Sequence, residues 1–217
     1  MNKIYKLFNS RFGPVALVCA LMAGFGIITR VILFFMSWNN LDLNPLTFLS
    51  IFVIGFLFDI VAGLFFAVPI AFYCWLMKDS WYRRKWNRIP LFIYFTLLVI
   101  IFSISSVAEI TFWMEFNVRF NFIAVDYLIY RNEVLCNVWE SYNVPVIMSA
   151  VLLFAIATLY FLRKKIIASQ FTSMRFGKRT IYFTVFLLIT TIAYFGWSDK
   201  FKNISKNNYV SELSGNG

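Results

Sequence analysis

Residues 113–145, WMEFNVRFNFIAVDYLIYRNEVLCNVWESYNVP, decide how the rest of the chain is read. This is the longest segment too polar to lie inside a bilayer, yet it is crowded with aromatic and branched residues and flanked by strongly apolar runs. Phe122, Val125, Ile129, Val134 and Val138 recur at three, four or five residues, which gives one or two short helices an apolar underside. Such a segment suits the membrane surface. The runs on either side must then be spans, and this stretch a structured cap between the third and fourth of them.

The composition agrees. Hydrophobic residues make up 61% of the 217 and charged residues only 14%, too little charge to cover a water-soluble domain. The net charge of +10 would raise the question of nucleic acid in a soluble chain. Here fourteen of the twenty Lys and Arg fall in three short segments: before Pro14, from Lys78 to Arg88, and from Arg163 to Arg179. That is the positive-inside pattern, and it speaks for membrane lipids as partners and against nucleic acid. The chain has no histidine, which excludes a His-dependent triad and removes the commonest zinc ligand. Cys19, Cys74 and Cys136 are scattered without metal-site or redox spacing, so no metal site is read in this chain.

Taken in order, the apolar runs predict five transmembrane helices at about 14–36, 46–77, 89–113, 144–162 and 180–197, with the outer cap at 114–143. The fold class expected is an all-α polytopic membrane protein, N-terminus in and C-terminus out. The first run is too long for a signal-peptide core and reads as an uncleaved anchor. The second, 32 residues long, exceeds a hydrocarbon core of roughly 30 Å, and Pro69 is its obvious kink. Along it Gly55, Asp59, Gly63, Ala67 and Ala71 recur every fourth residue, a seam of small side chains that should face another helix. The polar tail 198–217 carries Tyr209, Val210 and Leu213 at helix-like spacing, and it reads as a linker toward a further extracytoplasmic domain.

Arg30, Asp59 and Glu109 are the ionisable residues inside the spans, Arg30 and Glu109 at shallow depths of roughly 9 and 6 Å from the outer ends. One reading makes them an internal polar network that locks helices together. The other makes Arg30, with Arg119 and Arg131, a holder of a lipid phosphate at the outer leaflet, since the planar guanidinium binds phosphate through two donors. For the cap, a simple seal over the bundle stands beside a docking platform using Glu115, Asp126 and Tyr127.

Two motifs carry a resemblance. EFNVRFNFIAVDYLIYRNEV, residues 115–134, followed by NVWESYNVP, residues 137–145, resembles the segment between the third and fourth spans of the lipoteichoic acid synthase-like branch of the sulfatase and alkaline phosphatase superfamily. NNYVSELSGNG, residues 207–217, is similar to that branch's N-x-Y-x-x-E-L-x-x-N-G, which stands before its catalytic domain. Arg30 near the end of the first span and the G-x-x-x-D of Gly55 and Asp59 agree with it. The resemblance implies a bacterial cytoplasmic-membrane enzyme that moves phosphoglycerol or phosphoethanolamine head groups from phospholipid to a cell-envelope glycan. It also implies a threonine nucleophile and a divalent metal, manganese or magnesium, in an outward-facing domain beyond Gly217, so no catalytic residue is carried over onto this chain. The alternative is a small self-sufficient transporter or channel component built round Asp59. That expects inverted repeats or paired broken helices, and the sequence has neither.

Overall fold

The computed structural model describes residues 8–41, 44–119, 131–197 and 208–215, the side chains of residues 46, 131–135, 197 and 208 excepted. Its helices are α1 (Gly13–Met36), α2 (Pro45–Leu76), the short α3 (Asp79–Tyr82), α4 (Arg88–Phe116), α5 (Arg131–Ser141), α6 (Val144–Ser169), α7 (Phe176–Trp197) and α8 (Asn208–Ser214). Five of these, α1, α2, α4, α6 and α7, are long and apolar enough to cross a membrane. The chain is an all-α, multi-pass membrane protein, with no strand among the described residues.

Local chemistry sets the helix ends. Pro14 and Pro145 open α1 and α6 in their first turns, where a missing N–H is harmless, and the Asn143 side chain accepts from Val146 N at 3.4 Å. α1 stops where the Ser37 hydroxyl and N–H both turn back on the Leu33 carbonyl. α4 ends at Asn117, whose φ of 55° lies in the left-handed region that asparagine tolerates better than most side chains. Through Pro69 α2 continues as one helix; next to the Phe65 carbonyl that the proline deprives of its usual donor, the Tyr94 hydroxyl donates to the Phe66 carbonyl.

Three span boundaries differ from the sequence reading by three residues or more, the first being the end of α4 at Phe116 rather than at 113. α6 continues past 162 to Ser169, and α7 begins at Phe176 rather than at 180. The intervening RKKIIAS contains no Gly or Pro, and long basic side chains let a helix run on beyond the apolar core with their charged heads in water. Of the cap, α5 is helical as expected, with Cys136 to Ser141 all exposed. Residues 120–130, including Asp126 and Tyr127, lie outside the described residues.

α1 is the hub. It packs most extensively on α2 and also touches α4 and α6, while α4 packs on α6, and α7 on α2. The expected seam on α2 is the face turned to α1. A Cβ on Gly63 would press the Cys19 backbone at 3.0 Å, one on Gly55 would overlap the Arg30 guanidinium, and one on Gly26 of α1 would overlap the Asp59 carboxylate. Ala67 and Ala71 continue the seam, fully buried beside Val18 and Leu17. Large apolar side chains such as Leu153, Phe161, Ile192 and Phe195 point outward, as lipid-facing surfaces require, and exposed Trp81 and Trp86 at one end and Trp38 and Trp139 at the other suit an interfacial belt.

The three basic segments meet at one end of this bundle, where Arg11 pairs with Asp79, Arg88 donates to Gln170, and Arg179 reaches the Met77 carbonyl. At the opposite end α8 lies over α2 and α1. It buries Val210 and Leu213 against Leu33, Phe34, Leu41, Ile51 and Trp113.

Candidate functional site

The tail end holds the site. Arg30 reaches it from α1 and Asp59 from α2, and the two glycines noted above clear the room between the helices for their heads. The Arg30 Nη1 lies 2.7 Å from Asp59 Oδ2, with the side chains 0% and 1% exposed. Desolvating such a pair offsets much of its attraction, so the pair itself is a weak stabiliser, whereas losing one partner would strand a buried charge. Its geometry leaves the guanidinium reaching upward: Nε donates to the Leu213 carbonyl at 2.9 Å and Nη2 lies 3.5 Å from the Gly215 carbonyl.

A second pair sits beside it. The left-handed turn at Asn117 brings the chain back so that Arg119, 4% exposed, donates through Nε to Glu109 one helix face below. Through Nη1 Arg119 also donates to the Gly215 carbonyl, and its backbone N–H donates to the Glu212 carboxylate at 3.0 Å. Two arginines, Arg30 on α1 and Arg119 in the segment just after α4, therefore close on the C-terminal carbonyls of α8, the end of a helix that carries partial negative charge and orphan acceptors. α8 has seven residues, and a helix that short is unstable in water by itself. Its form depends on this grip together with the burial of Val210 and Leu213.

Of the residues singled out in the sequence, Arg30, Asp59, Glu109 and Arg119 converge here. The partners are more specific than a shared network: Arg30 takes Asp59, and Glu109 takes Arg119. Arg131 opens α5, but its side chain is not among those described, and Glu115 is exposed in the last turn of α4. Sequence reasoning missed Glu212, the two acceptor carbonyls and the role of Gly26. The signal for Glu212 was its place beside Leu213 on the helix-like patch of the tail. Among the described residues no three of His, Cys, Asp and Glu gather in a set that could hold a metal ion.

A related construction stands at the basic end. The last turn of α2 ends on Arg11, whose Nε donates to the Cys74 carbonyl at 2.8 Å and whose other donors reach Asp79 and the Met77 carbonyl. Arg179 adds donors to the Trp75 and Met77 carbonyls. Asp79 also accepts from the Met174 N–H at 3.1 Å, tying the loop before α7 to the start of α3. Burial lowers the pKa of Arg11 and the nearby Arg179 lowers it further, against the opposing pull of Asp79. The Tyr82 ring lies under the Arg11 guanidinium at 4.2 Å, and burial, with Cys74 next to it, pushes the pKa of its hydroxyl well up.

Compared with known proteins, the chain matches no family model, no curated protein and no solved structure.

Proposed function

We propose that this five-helix unit is the membrane anchor and lipid-presenting half of a sulfatase-family enzyme of a bacterial cytoplasmic membrane. That enzyme would transfer phosphoglycerol or phosphoethanolamine head groups from phospholipid to a cell-envelope glycan, with its catalytic domain following the tail on the outer side. The observation that carries the reading is the grip on α8. Two buried arginines, two acids and an apolar pocket hold a seven-residue helix over the mouth of the bundle. A membrane unit that must keep a following domain at a fixed height above the lipid phosphates needs such a clamp, because a free linker would let it wander.

The residues that make the clamp are Tyr209, Glu212 and Leu213 from the tail motif and Arg119 from the cap motif, which are the segments that carry the family resemblance. With the tail end facing outward, Arg30 and Arg119 would stand on the side where an outer-leaflet phosphate arrives, and since each already has a carboxylate partner, their part in this reading is to hold the tail. The divalent metal would supply Lewis-acid activation of the phosphoryl group and would be held by the following domain. Asp59, bonded to Arg30, supports anchoring over use as an ion-carrying carboxylate.

The test uses the complete gene product in proteoliposomes containing head-group-labelled phosphatidylglycerol or phosphatidylethanolamine. Head-group release from one of the two lipids is expected, with at least a several-fold drop in Arg119→Gln, where the tail is freed. Failure to process either lipid, or full activity in Arg119→Gln with the tail shown to be loose, would overturn the reading.

A further inference from the structure

The basic end does not balance its charges. Arg11 and Arg179 converge on the last turn of α2, and among the described residues Asp79 is the carboxylate bonded to either of them. Arg179 is 7% exposed, and its Nε is buried without a hydrogen-bond partner. Buried guanidinium N–H groups are normally satisfied, and the oxygen that satisfies one best is anionic.

What lies next to this arginine is apolar. Phe12 follows Arg11 in the chain and stacks on Tyr182, one turn along α7 from Arg179, with ring centroids 5.9 Å apart. From this pair a groove of about 790 Å³ runs along α1 between α2 and α7. Its α7 wall is Tyr182, Val185, Phe186 and Ile189, the same helix face that Arg179 begins. Its α1 wall is low because Ala16, Ala20 and Gly24 carry little or no side chain. Along α1 it extends from Phe12 to Ile27, about 22 Å at 1.5 Å per residue, which is longer than the roughly 15 Å of one leaflet's hydrocarbon.

An unsatisfied buried cation one helical turn before Tyr182, at the basic end of a long apolar slot, has the shape and chemistry of an amphiphile's complement. We infer that the basic end binds one anionic phospholipid, its phosphate against Arg179 beside Arg11 and one acyl chain along the α1–α2–α7 groove. Basic pockets between spans, near one membrane surface, are the usual setting for anionic head groups. Arg11 contributes its field, its donors being taken up by α2 and Asp79, while Arg179 contributes an N–H that the protein leaves without a partner. The head-group end of this site lies at the opposite end of the bundle from the α8 clamp, and the site does not depend on the proposed enzymatic role.

The experiment is lipid binding by the purified full chain in detergent, read by native mass spectrometry and by thermal unfolding. The probes are dioleoylphosphatidylglycerol, dioleoylphosphatidylcholine and glycerol 3-phosphate. One phosphatidylglycerol should be retained per chain and should raise the Tm by several degrees more than phosphatidylcholine, with glycerol 3-phosphate having no effect. Arg179→Gln should bind the two lipids alike, about tenfold more weakly than wild type binds phosphatidylglycerol. Ala20→Phe, which fills the groove and leaves both arginines in place, should also lose retention, so the test survives if the arginine variant does not fold. Equal stabilisation by the two lipids in wild type, an equal effect of glycerol 3-phosphate, or undiminished retention in Ala20→Phe would each overturn the site.

Discussion

The two ends of the bundle use the same parts to different effect. Each has two buried arginines, an aspartate and the C-terminal carbonyls of a helix. At the basic end the capped helix is α2, a 32-residue span that lipid and its neighbours already hold, and Asp79 is 32% exposed at the rim. At the tail end the capped helix is α8, and Asp59 is sealed between two spans. The first arrangement finishes a helix that would exist anyway. The second creates one, so the tail's order is conditional on the spans beneath it.

The largest effect should come from Asp59→Ala, which leaves the Arg30 charge buried and loses about 3–5 kcal/mol of stability. Asp79→Ala at the other end should lose less, about 1–3 kcal/mol, because Arg11 keeps its bonds to the Cys74 and Met77 carbonyls and water reaches the rim where Asp79 is 32% exposed. Denaturant titration of both variants in one detergent checks the contrast; equal losses would erase the distinction between a sealed and a rim carboxylate. An Arg30→Met, Asp59→Leu double variant should recover much of the Asp59→Ala loss.

Next come the glycines beneath the tail-end pair. Gly26→Ala and Gly55→Ala drive a methyl into Asp59 and Arg30 and should each lose about 1–3 kcal/mol by overpacking. Gly24→Ala, two residues away with nothing within 4 Å of its new Cβ, should gain about 0.5–1 kcal/mol from helix propensity. The same titration separates them.

Arg119→Gln removes charged hydrogen bonds to Glu109 and Gly215 and should cost about 2 kcal/mol. Its sharper readout is local: amide exchange across Tyr209, Val210 and Leu213 should accelerate to that of a loose segment while α1 and α2 stay protected. Protection of α8 equal to wild type would show that the apolar contacts suffice without the clamp.

The smallest effect belongs to the basic end. The hydroxyl of Tyr82, 3.6 Å from Cys74 Sγ and 3.4 Å from Ser169 Oγ, has its pKa raised by burial, so the folded state keeps a proton that the unfolded chain releases. Its stabilising contribution is fully present below the usual tyrosine pKa of about 10 and declines as pH rises above it. Tm measured from pH 8 to 11 should fall more steeply in wild type than in Tyr82→Phe, which itself costs about 1 kcal/mol at neutral pH.

The spans were legible because lipid asks one thing of a sequence, some twenty apolar residues with charges kept to the ends, and that demand is local. The seam from Gly55 to Ala71 was legible for a similar reason: a four-residue period of small side chains places itself on one helix face. So was the short tail helix, from the spacing of Tyr209, Val210 and Leu213. What pairs with Arg30 was not, since Asp59 is 29 residues away and Leu213 is 183, and several acids and carbonyls satisfied the same rule of pairing until the helices were packed. The end of α6 also escaped, because a helix leaving the membrane meets no change of composition that forces it to stop. Composition and periodicity determined which segments enter the bilayer and which faces they hide; only packing decided that Gly26 and Gly55 leave room for one ion pair, and that its arginine turns toward the carbonyls of the tail.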